Sequence, residues 1–231
     1  MTTPCRVLLV SGSLRTGSTN SAAIRAAAEI APAGVTPTIF SGVAALPHFN
    51  PDDDTDPLPA PVVALRSAIA EADAVVISTP EYAGTLPGAF KNLLDWTVGG
   101  NQIQGRPVAW INVSTSGTAA AGAHATLRTV LGFVDAAIIE DACAHVPVPR
   151  AAVGPWGRMA PSPIRYCGRL SATCWQPLRR TCPSAPPDGE NGCTSRPPAV
   201  SSIKPGSGSA DDRIRGVRPY VARSRLEPRH P

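Results

Sequence analysis

The sequence predicts an α/β fold, a three-layer sandwich in which helices cover both faces of a five-stranded, parallel sheet. Short apolar runs alternate with stretches of helical spacing through the first two thirds of the chain. Strands that alternate with helices form right-handed β-α-β crossovers. The chain of 231 residues is also long enough to bury the core of one such domain. We therefore expect one doubly wound domain with the strand order 2-1-3-4-5.

Five strands and four helices make up this prediction. The strands are expected at residues 6–10, 35–40, 74–78, 108–113 and 134–139. Apolar residues at helical spacing predict helices at 24–31, 62–72, 90–96 and 127–131. The Pro- and Asp-rich segment 46–61, LPHFNPDDDTDPLPAP, follows neither pattern and is predicted to be a loop. Trp96 and Trp110 are expected in the core.

The last third of the chain differs in composition. Residues 1–157 carry 8 Lys and Arg against 12 Asp and Glu, whereas residues 158–231 carry 13 against 5 and hold 12 of the 26 prolines. No regular period continues through 158–231, so we predict a disordered basic Pro/Arg/Ser-rich tail, with the final helix of the domain missing. The composition fits translation in a shifted reading frame of a GC-rich gene. The alternative is a genuine basic tail that contacts an acidic partner or nucleic acid.

Composition also limits the class of protein. No apolar run is long enough for a signal peptide or a membrane span, so we expect a cytoplasmic protein that does not bind membranes. Because the sequence has no nucleic-acid-binding motif, we do not expect it to bind nucleic acid. The six cysteines form no Cys-x-x-Cys pair, and no histidines stand at zinc-finger spacing, so no metal site is expected. In a reducing compartment the cysteines are expected to be free thiols.

A turn rich in hydroxyl side chains follows the first predicted strand. In LLVSGSLRTGSTN, residues 8–20, an apolar run changes to Ser, Thr and Gly around Arg15, and a predicted helix follows. The first turn of a helix has unpaired N–H groups and the positive end of the helix dipole, which suit an anion. The turn matches neither the Walker A nor the Gly-x-Gly-x-x-Gly pattern. We therefore predict a site for a mononucleotide phosphate, with a simple helix cap as the alternative.

Two further loops belong to the same edge of the predicted sheet. STPEYAGTLPGAFKNLLDW, residues 78–96, follows the third strand and carries an aromatic side chain and two glycines. NVSTSGTAAAG, residues 112–122, follows the fourth strand. Doubly wound sheets bind ligands at the carboxyl ends of their strands, where the strand order reverses. The three loops therefore predict one ligand site.

GSLRTGSTN and PEYAGTLPGAFKNLLDW, in this order, resemble the NADPH-dependent FMN reductase family, flavodoxin-like quinone, chromate and azo-type reductases. The resemblance covers residues 5–157. It implies a flavodoxin-like fold that binds FMN, takes NADPH or NADH as co-substrate and passes hydride to a small acceptor such as a quinone, free flavin, azo compound or chromate. It also implies a homodimer or homotetramer. Alternatives are a flavodoxin-like electron carrier with a protein partner, or a weakly active product caused by the altered C-terminus.

The resemblance further implies which residues bind the FMN. The phosphate would be held by Ser13, Arg15, Ser18 and Asn20. The isoalloxazine ring and ribityl chain would lie against Pro80, Glu81, Tyr82, Ala83 and Gly84. We expect the backbone N–H groups of residues 81–84 to stabilise the reduced, anionic flavin. The other side would be closed by Ser114, Thr115, Ser116 and Gly117. Ala83 stands where the family commonly has Asn. Because the flavin carries the chemistry, we expect no catalytic side chain.

Overall fold

The computed structural model describes residues 4–116, 118–154 and 174–181. The strands are β1 Cys5–Ser11, β2 Val35–Phe40, β3 Ala74–Ser78, β4 Pro107–Asn112, β5 Ala137–Ile138 and β6 Ala144–His145. The helices are α1 Thr19–Glu29, α2 Ala60–Glu71, α3 Gly88–Asp95, α4 Ala121–Phe133 and α5 Gln176–Thr181. None of the helices in these ranges is long and apolar enough to cross a membrane.

The strands pair in parallel in the order β2-β1-β3-β4-β5, which confirms the predicted topology. The fifth strand is shorter than predicted. Its first part belongs to the turn that leaves α4, where the Val134 N–H donates to Val130 O and Asp135 adopts a φ of 52°. After β5 a 3-10 turn at Glu140–Ala142 interrupts the pairing, and β6 then resumes it along the end of β4.

The two faces of the sheet are covered by different kinds of side chain. On one face, α1 contributes mainly alanines to the core, so this helix presents short side chains to the strands. On the other face, α2, α3 and α4 contribute large side chains, and the expected core residues Trp96 and Trp110 are buried there. The division confirms a three-layer sandwich with α1 on one face and α2, α3 and α4 on the other.

Helix α5 lies inside the region that the sequence predicts to be a tail. Cys174, Trp175 and Leu178 are buried in the same core cluster as α1. The expectation that nothing covers this face after the fifth strand is therefore wrong for residues 174–181. The sequence signal for this helix was weak because it contains a single helical repeat of apolar residues among Pro and Arg. Pro177 is compatible with the helix because it lies in the first turn, where a missing N–H is tolerated. The rest of 158–231 lies outside the described residues, so the domain boundary at 157 stays a prediction.

The cysteines do not all behave as predicted. Cys5 is disulfide-bonded, so the prediction of free thiols is wrong at this position. Cys143 and Cys174 are free. Burial raises the pKa of the Cys143 thiol to about 11 and the pKa of the Cys174 thiol to about 12. Both thiols are therefore protonated and unreactive at neutral pH.

The predicted loop 46–61 is confirmed up to residue 59, because α2 begins at Ala60, and it includes a 3-10 turn at Pro51–Asp53. It is held on the face of α3. The Trp96 Nε1–H and the Asn92 Nδ2–H both donate to the carbonyl oxygen of Pro47, at 2.9 and 2.8 Å. The Phe49 ring meets the Trp96 ring edge to face, with 5.0 Å between the centroids. Asp54 forms a largely buried ion pair with Arg66 of α2, at 2.7 Å. One of the four aspartates of this loop is therefore used in a structural ion pair.

Candidate functional site

Three loops meet at one edge of the sheet, as predicted. They follow β1, β3 and β4, which are neighbouring parallel strands, so their carboxyl ends lie side by side. We call residues 12–20 the first turn, residues 79–87 the ring loop and residues 113–120 the third loop. The hydroxyl of Ser78, the last residue of β3, joins the first turn to β4, because it lies 2.9 Å from Asn20 Oδ1 and 2.9 Å from Ile111 O.

Several hydroxyl groups of the first turn serve the turn itself. Ser18 is the N-cap of α1, and its Oγ accepts a hydrogen bond from the Ser21 N–H at 3.4 Å. Ser13 Oγ accepts from the Arg15 N–H at 3.4 Å, and the Ser13 N–H donates to Ser11 Oγ at 3.3 Å. The helix-cap alternative is therefore correct for Ser18, which is buried. These bonds fix the shape of the turn from within.

Other donors of the first turn have no protein acceptor in the described parts of the chain. They are the backbone N–H groups of Thr19 and Asn20 and the side-chain Nδ2 of Asn20. Asn20 is buried, with an exposed fraction of only 7%. Arg15 is exposed, and its guanidinium pairs with none of the described carboxylates. A group of donors at a helix N-terminus beside an arginine fits a phosphate.

At the centre of the ring loop, Tyr82 and Thr85 form a β-hairpin whose turn has two central residues. The Tyr82 N–H donates to Thr85 O at 3.0 Å, and the Thr85 N–H donates back to Tyr82 O at 3.1 Å. Ala83 and Gly84, the two central residues, adopt left-handed φ values of 50° and 76°. Such a turn suits Asn-Gly, and an alanine in the left-handed region is strained. The chain therefore keeps this turn although Ala83 replaces the favoured residue.

The hairpin changes one prediction about the backbone donors of the ring loop. Because the Tyr82 N–H is already bonded inside the hairpin, the expectation that every N–H from residue 81 to 84 serves a flavin is wrong at Tyr82. The N–H groups of Ala83 and Gly84 have no such partner among the described residues. The Tyr82 side chain is 49% exposed, as an aromatic that contacts a ligand can be. These features fit a flat ring system that needs stacking and a few backbone donors.

Helix α4 holds the ring loop from the side. Glu81 Oε2 accepts a hydrogen bond from the Ala123 N–H at 3.0 Å, which places a carboxylate at the helix N-terminus. Thr85 Oγ1 and Thr126 Oγ1 lie 2.9 Å apart. A Cβ on Gly122 would overlap the carbonyl oxygen of Gly84, so only glycine allows this approach. Sequence reasoning assigned no role to Gly122, the last residue of the predicted loop 112–122, or to Thr126 in the helix that follows.

The third loop is closed on itself. Ser114 Oγ lies 2.6 Å from Asn112 Oδ1 and 2.9 Å from Ala119 O. Thr115 and Ser116 are exposed, and Gly117 lies outside the described residues. His145 contacts this loop through its Nε2, 2.9 Å from Ser114 O. Of the predicted residues here, Thr115 and Ser116 are therefore the accessible ones.

His124 follows Ala123 in α4 and is partly buried. Its Nδ1 lies 2.7 Å from Ala120 O, and its ring lies against Trp110 with 5.9 Å between the centroids. Burial lowers the pKa of His124 from its ordinary value, so the imidazole is neutral at neutral pH. Lys91 and Asp95, four residues apart in α3, form an ordinary ion pair on the helix. No cluster of three or more metal-binding side chains occurs within 4–116, 118–154 and 174–181.

Comparison with known proteins points to one class of enzyme. A family model described as NADPH-dependent FMN reductase matches residues 5–148. The quinone reductase of Escherichia coli is 34% identical over 143 residues, which are 61% of this chain and 76% of that protein. An NAD(P)H-dependent FMN reductase of Pseudomonas aeruginosa is 34% identical over 137 residues, 58% of this chain and 74% of the relative.

A solved structure agrees with these relatives. The flavoenzyme NAD(P)H:(acceptor) oxidoreductase FerB of Paracoccus denitrificans superposes with a TM-score of 0.62 at 29% identity. The match covers 73% of this chain and 94% of that one. The similarity therefore extends over nearly the whole of that flavoenzyme.

Proposed function

Because the chain belongs to the NADPH-dependent FMN reductase family, we propose that it oxidises NAD(P)H through bound FMN and reduces a small quinone. It is an FMN-dependent oxidoreductase with NADPH or NADH as co-substrate. The observation that carries the proposal is the group of unpaired donors in the first turn, which lies beside a hairpin with an exposed tyrosine. A phosphate and a flat aromatic ring are the two ends of FMN.

The residues of the three loops divide the work of holding the cofactor. We assign the phosphate to Arg15, to Asn20 and to the N–H groups that begin α1, within a turn shaped by Ser13 and Ser18. We assign the ring and the ribityl chain to the ring loop, residues 80–84, and the opposite side to residues 114–117. Bound FMN supplies the transfer of hydride between NAD(P)H and the acceptor.

The residues of the protein bind and orient the cofactor and the substrates. Its loops would hold the cofactor at the sheet edge, and the side chains of Tyr82 in the ring loop and Leu14 in the first turn are exposed and available to contact NAD(P)H and the acceptor. A small quinone, free flavin, azo compound or chromate fits such an open site.

The electron-carrier alternative has less support. Carriers dock on partner proteins through acidic surfaces, and the acidic run of this chain is confined to residues 52–56. Asp54 of that run is paired with Arg66 and is largely buried. The acidic surface available for docking is therefore small. We further propose that the protein works in the cytoplasm, where NAD(P)H is available, and forms a homodimer or homotetramer as its family does.

The test uses the purified full chain. Its visible spectrum is expected to show oxidised FMN, and addition of a benzoquinone is expected to increase NADPH or NADH oxidation many-fold over the rate without acceptor. Arg15→Ala, with Arg15→Lys as the charge-conserving control, should lose FMN on dialysis while the control retains most of it. A protein that neither retains nor rebinds FMN, and oxidises no NAD(P)H with a quinone present, would contradict the proposal.

A further inference from the structure

Ser78, the last residue of β3, is a buried hydroxyl outside the set of residues assigned to FMN. Its exposed fraction is 0%, and its Oγ lies 2.9 Å both from Asn20 Oδ1 and from the carbonyl oxygen of Ile111. A serine hydroxyl has a single proton to donate, so it cannot serve both acceptors fully at the same time. The hydroxyl proton of Ser78 in β3 is therefore shared between Asn20 of the first turn and Ile111 of β4.

Asn20 is the side chain whose orientation depends on this proton. Its Oδ1 faces Ser78, so its Nδ2 is the end that is turned away from β3. This amide nitrogen donates to no acceptor in the described parts of the protein, although the residue is more than nine-tenths buried. An amide N–H that has no protein acceptor and is accessible at the site is available to donate to a ligand.

The amide has two arrangements with opposite effects on an anion. When Ser78 donates to Oδ1, Nδ2 is presented to the first turn as a donor. When Ser78 donates to Ile111 O instead, the amide can turn over, donate from Nδ2 to Ser78 Oγ and present Oδ1 to the turn. An oxygen with a negative partial charge would then face the phosphate. The first arrangement needs the Ser78 proton, because Oδ1 would otherwise be buried without a donor.

We propose that Ser78 is a positioning residue that holds the Asn20 amide with Nδ2 toward the FMN phosphate, and so sets the preference of the site for a phosphorylated flavin over an uncharged one. This inference rests on the proposed function, since it takes FMN as the ligand. It assigns Ser78 an effect on the phosphate end of the ligand, with none on the ring.

The experiment compares the affinities of FMN and riboflavin for the flavin-free full chain, measured by quenching of flavin fluorescence. Ser78→Ala is expected to weaken FMN binding about tenfold, the loss of one hydrogen bond, and to change riboflavin binding less than about twofold. The matched control is Thr97→Val, which removes another buried hydroxyl, bonded to Leu94 O at the end of α3, and should change neither affinity. Ser78→Ala combined with Asn20→Ala should bind FMN no more weakly than Asn20→Ala alone, because the serine acts through the asparagine.

Asn20→Asp keeps an acceptor for Ser78 but replaces the donor with a negative charge. It is expected to weaken FMN binding at least as much as Asn20→Ala and to spare riboflavin, and it keeps the inference testable if Ser78→Ala does not fold. Equal weakening of FMN and riboflavin by Ser78→Ala, additive effects in the double variant, or normal FMN binding by Asn20→Asp would each overturn the role of Ser78. Wild-type protein that binds neither flavin would overturn the proposed function, and the role of Ser78 with it.

Discussion

The first turn and the ring loop adjoin the same site but are stabilised in different ways. Within the first turn, hydrogen bonds join residues no more than ten apart, such as Ser18 with Ser21 and Ser11 with Ser21, and its two ends, Gly12 and Asn20, are bonded to Ser78 of β3. The ring loop is held by α4, about forty residues later in the chain, through Glu81, Gly84 and Thr85. The difference teaches that a local motif sets most of the shape of the anion site, with Ser78 joining it to the sheet, whereas the position of the ring loop depends on packing against a helix distant in sequence.

The largest expected effect comes from breaking the contact of the ring loop with α4. Gly122→Val should abolish FMN retention and lower the melting temperature, because its side chain would overlap Gly84 O and push the hairpin away from the helix. Gly132→Ala, at another glycine of α4 whose added Cβ meets nothing within 4 Å, should be neutral or stabilise the protein by about 0.5–1 kcal/mol. Flavin content and thermal unfolding measure both variants. Full flavin content in Gly122→Val would show that the ring loop does not bind the cofactor.

The next effect tests the charge of the first turn. Arg15→Ala should weaken FMN binding by about 1.5–3 kcal/mol, the range of a hydrogen bond to a charged group, and leave riboflavin binding nearly unchanged. Arg150→Ala, at an exposed arginine outside the three loops, is the control and should change neither. Equilibrium binding of the two flavins is the measurement. Equal losses for FMN and riboflavin would remove Arg15 from the phosphate site.

A third variant separates the two roles of Ser18. Ser18→Ala should lower the free energy of unfolding by about 1 kcal/mol, because it removes the N-cap of α1. Ser18→Asp keeps a capping oxygen and should largely preserve the stability of the flavin-free protein, while its negative charge weakens FMN binding. Denaturant unfolding and FMN titration report the two quantities separately. Unchanged FMN binding in Ser18→Asp would place the phosphate away from the cap.

The smallest expected effect concerns the strain in the hairpin. Ala83→Asn and Ala83→Gly should each stabilise the protein by up to about 1 kcal/mol, because both residues tolerate the left-handed conformation better than alanine. Ala119→Gly, at an exposed alanine without a positive φ, is the control and should give no gain. Thermal unfolding of the flavin-free protein measures the difference. A loss of stability in both Ala83 variants would contradict the assigned strain.

The sequence predicted the features that local patterns encode. Apolar periodicity located β1 to β4, and the reversal of strand order located the site edge, because parallel strands align their carboxyl ends. Gly122 was missed because its importance depends on where Gly84 O lies after folding. The helix that contains Leu178 was missed because its stability comes from burial against β4 and the 3-10 turn at Glu140–Ala142, and six residues give little periodic signal.

The anchoring of the ring loop also bears on how fast the cofactor binds. The hairpin is tied to α4 at Glu81 and Thr85 by hydrogen bonds within the protein itself, so part of its conformational entropy is lost during folding and not when FMN binds. Association should then follow a single fast phase, with no slow step of loop closure. Differences in affinity among variants of the first turn should accordingly appear in the rate of FMN dissociation.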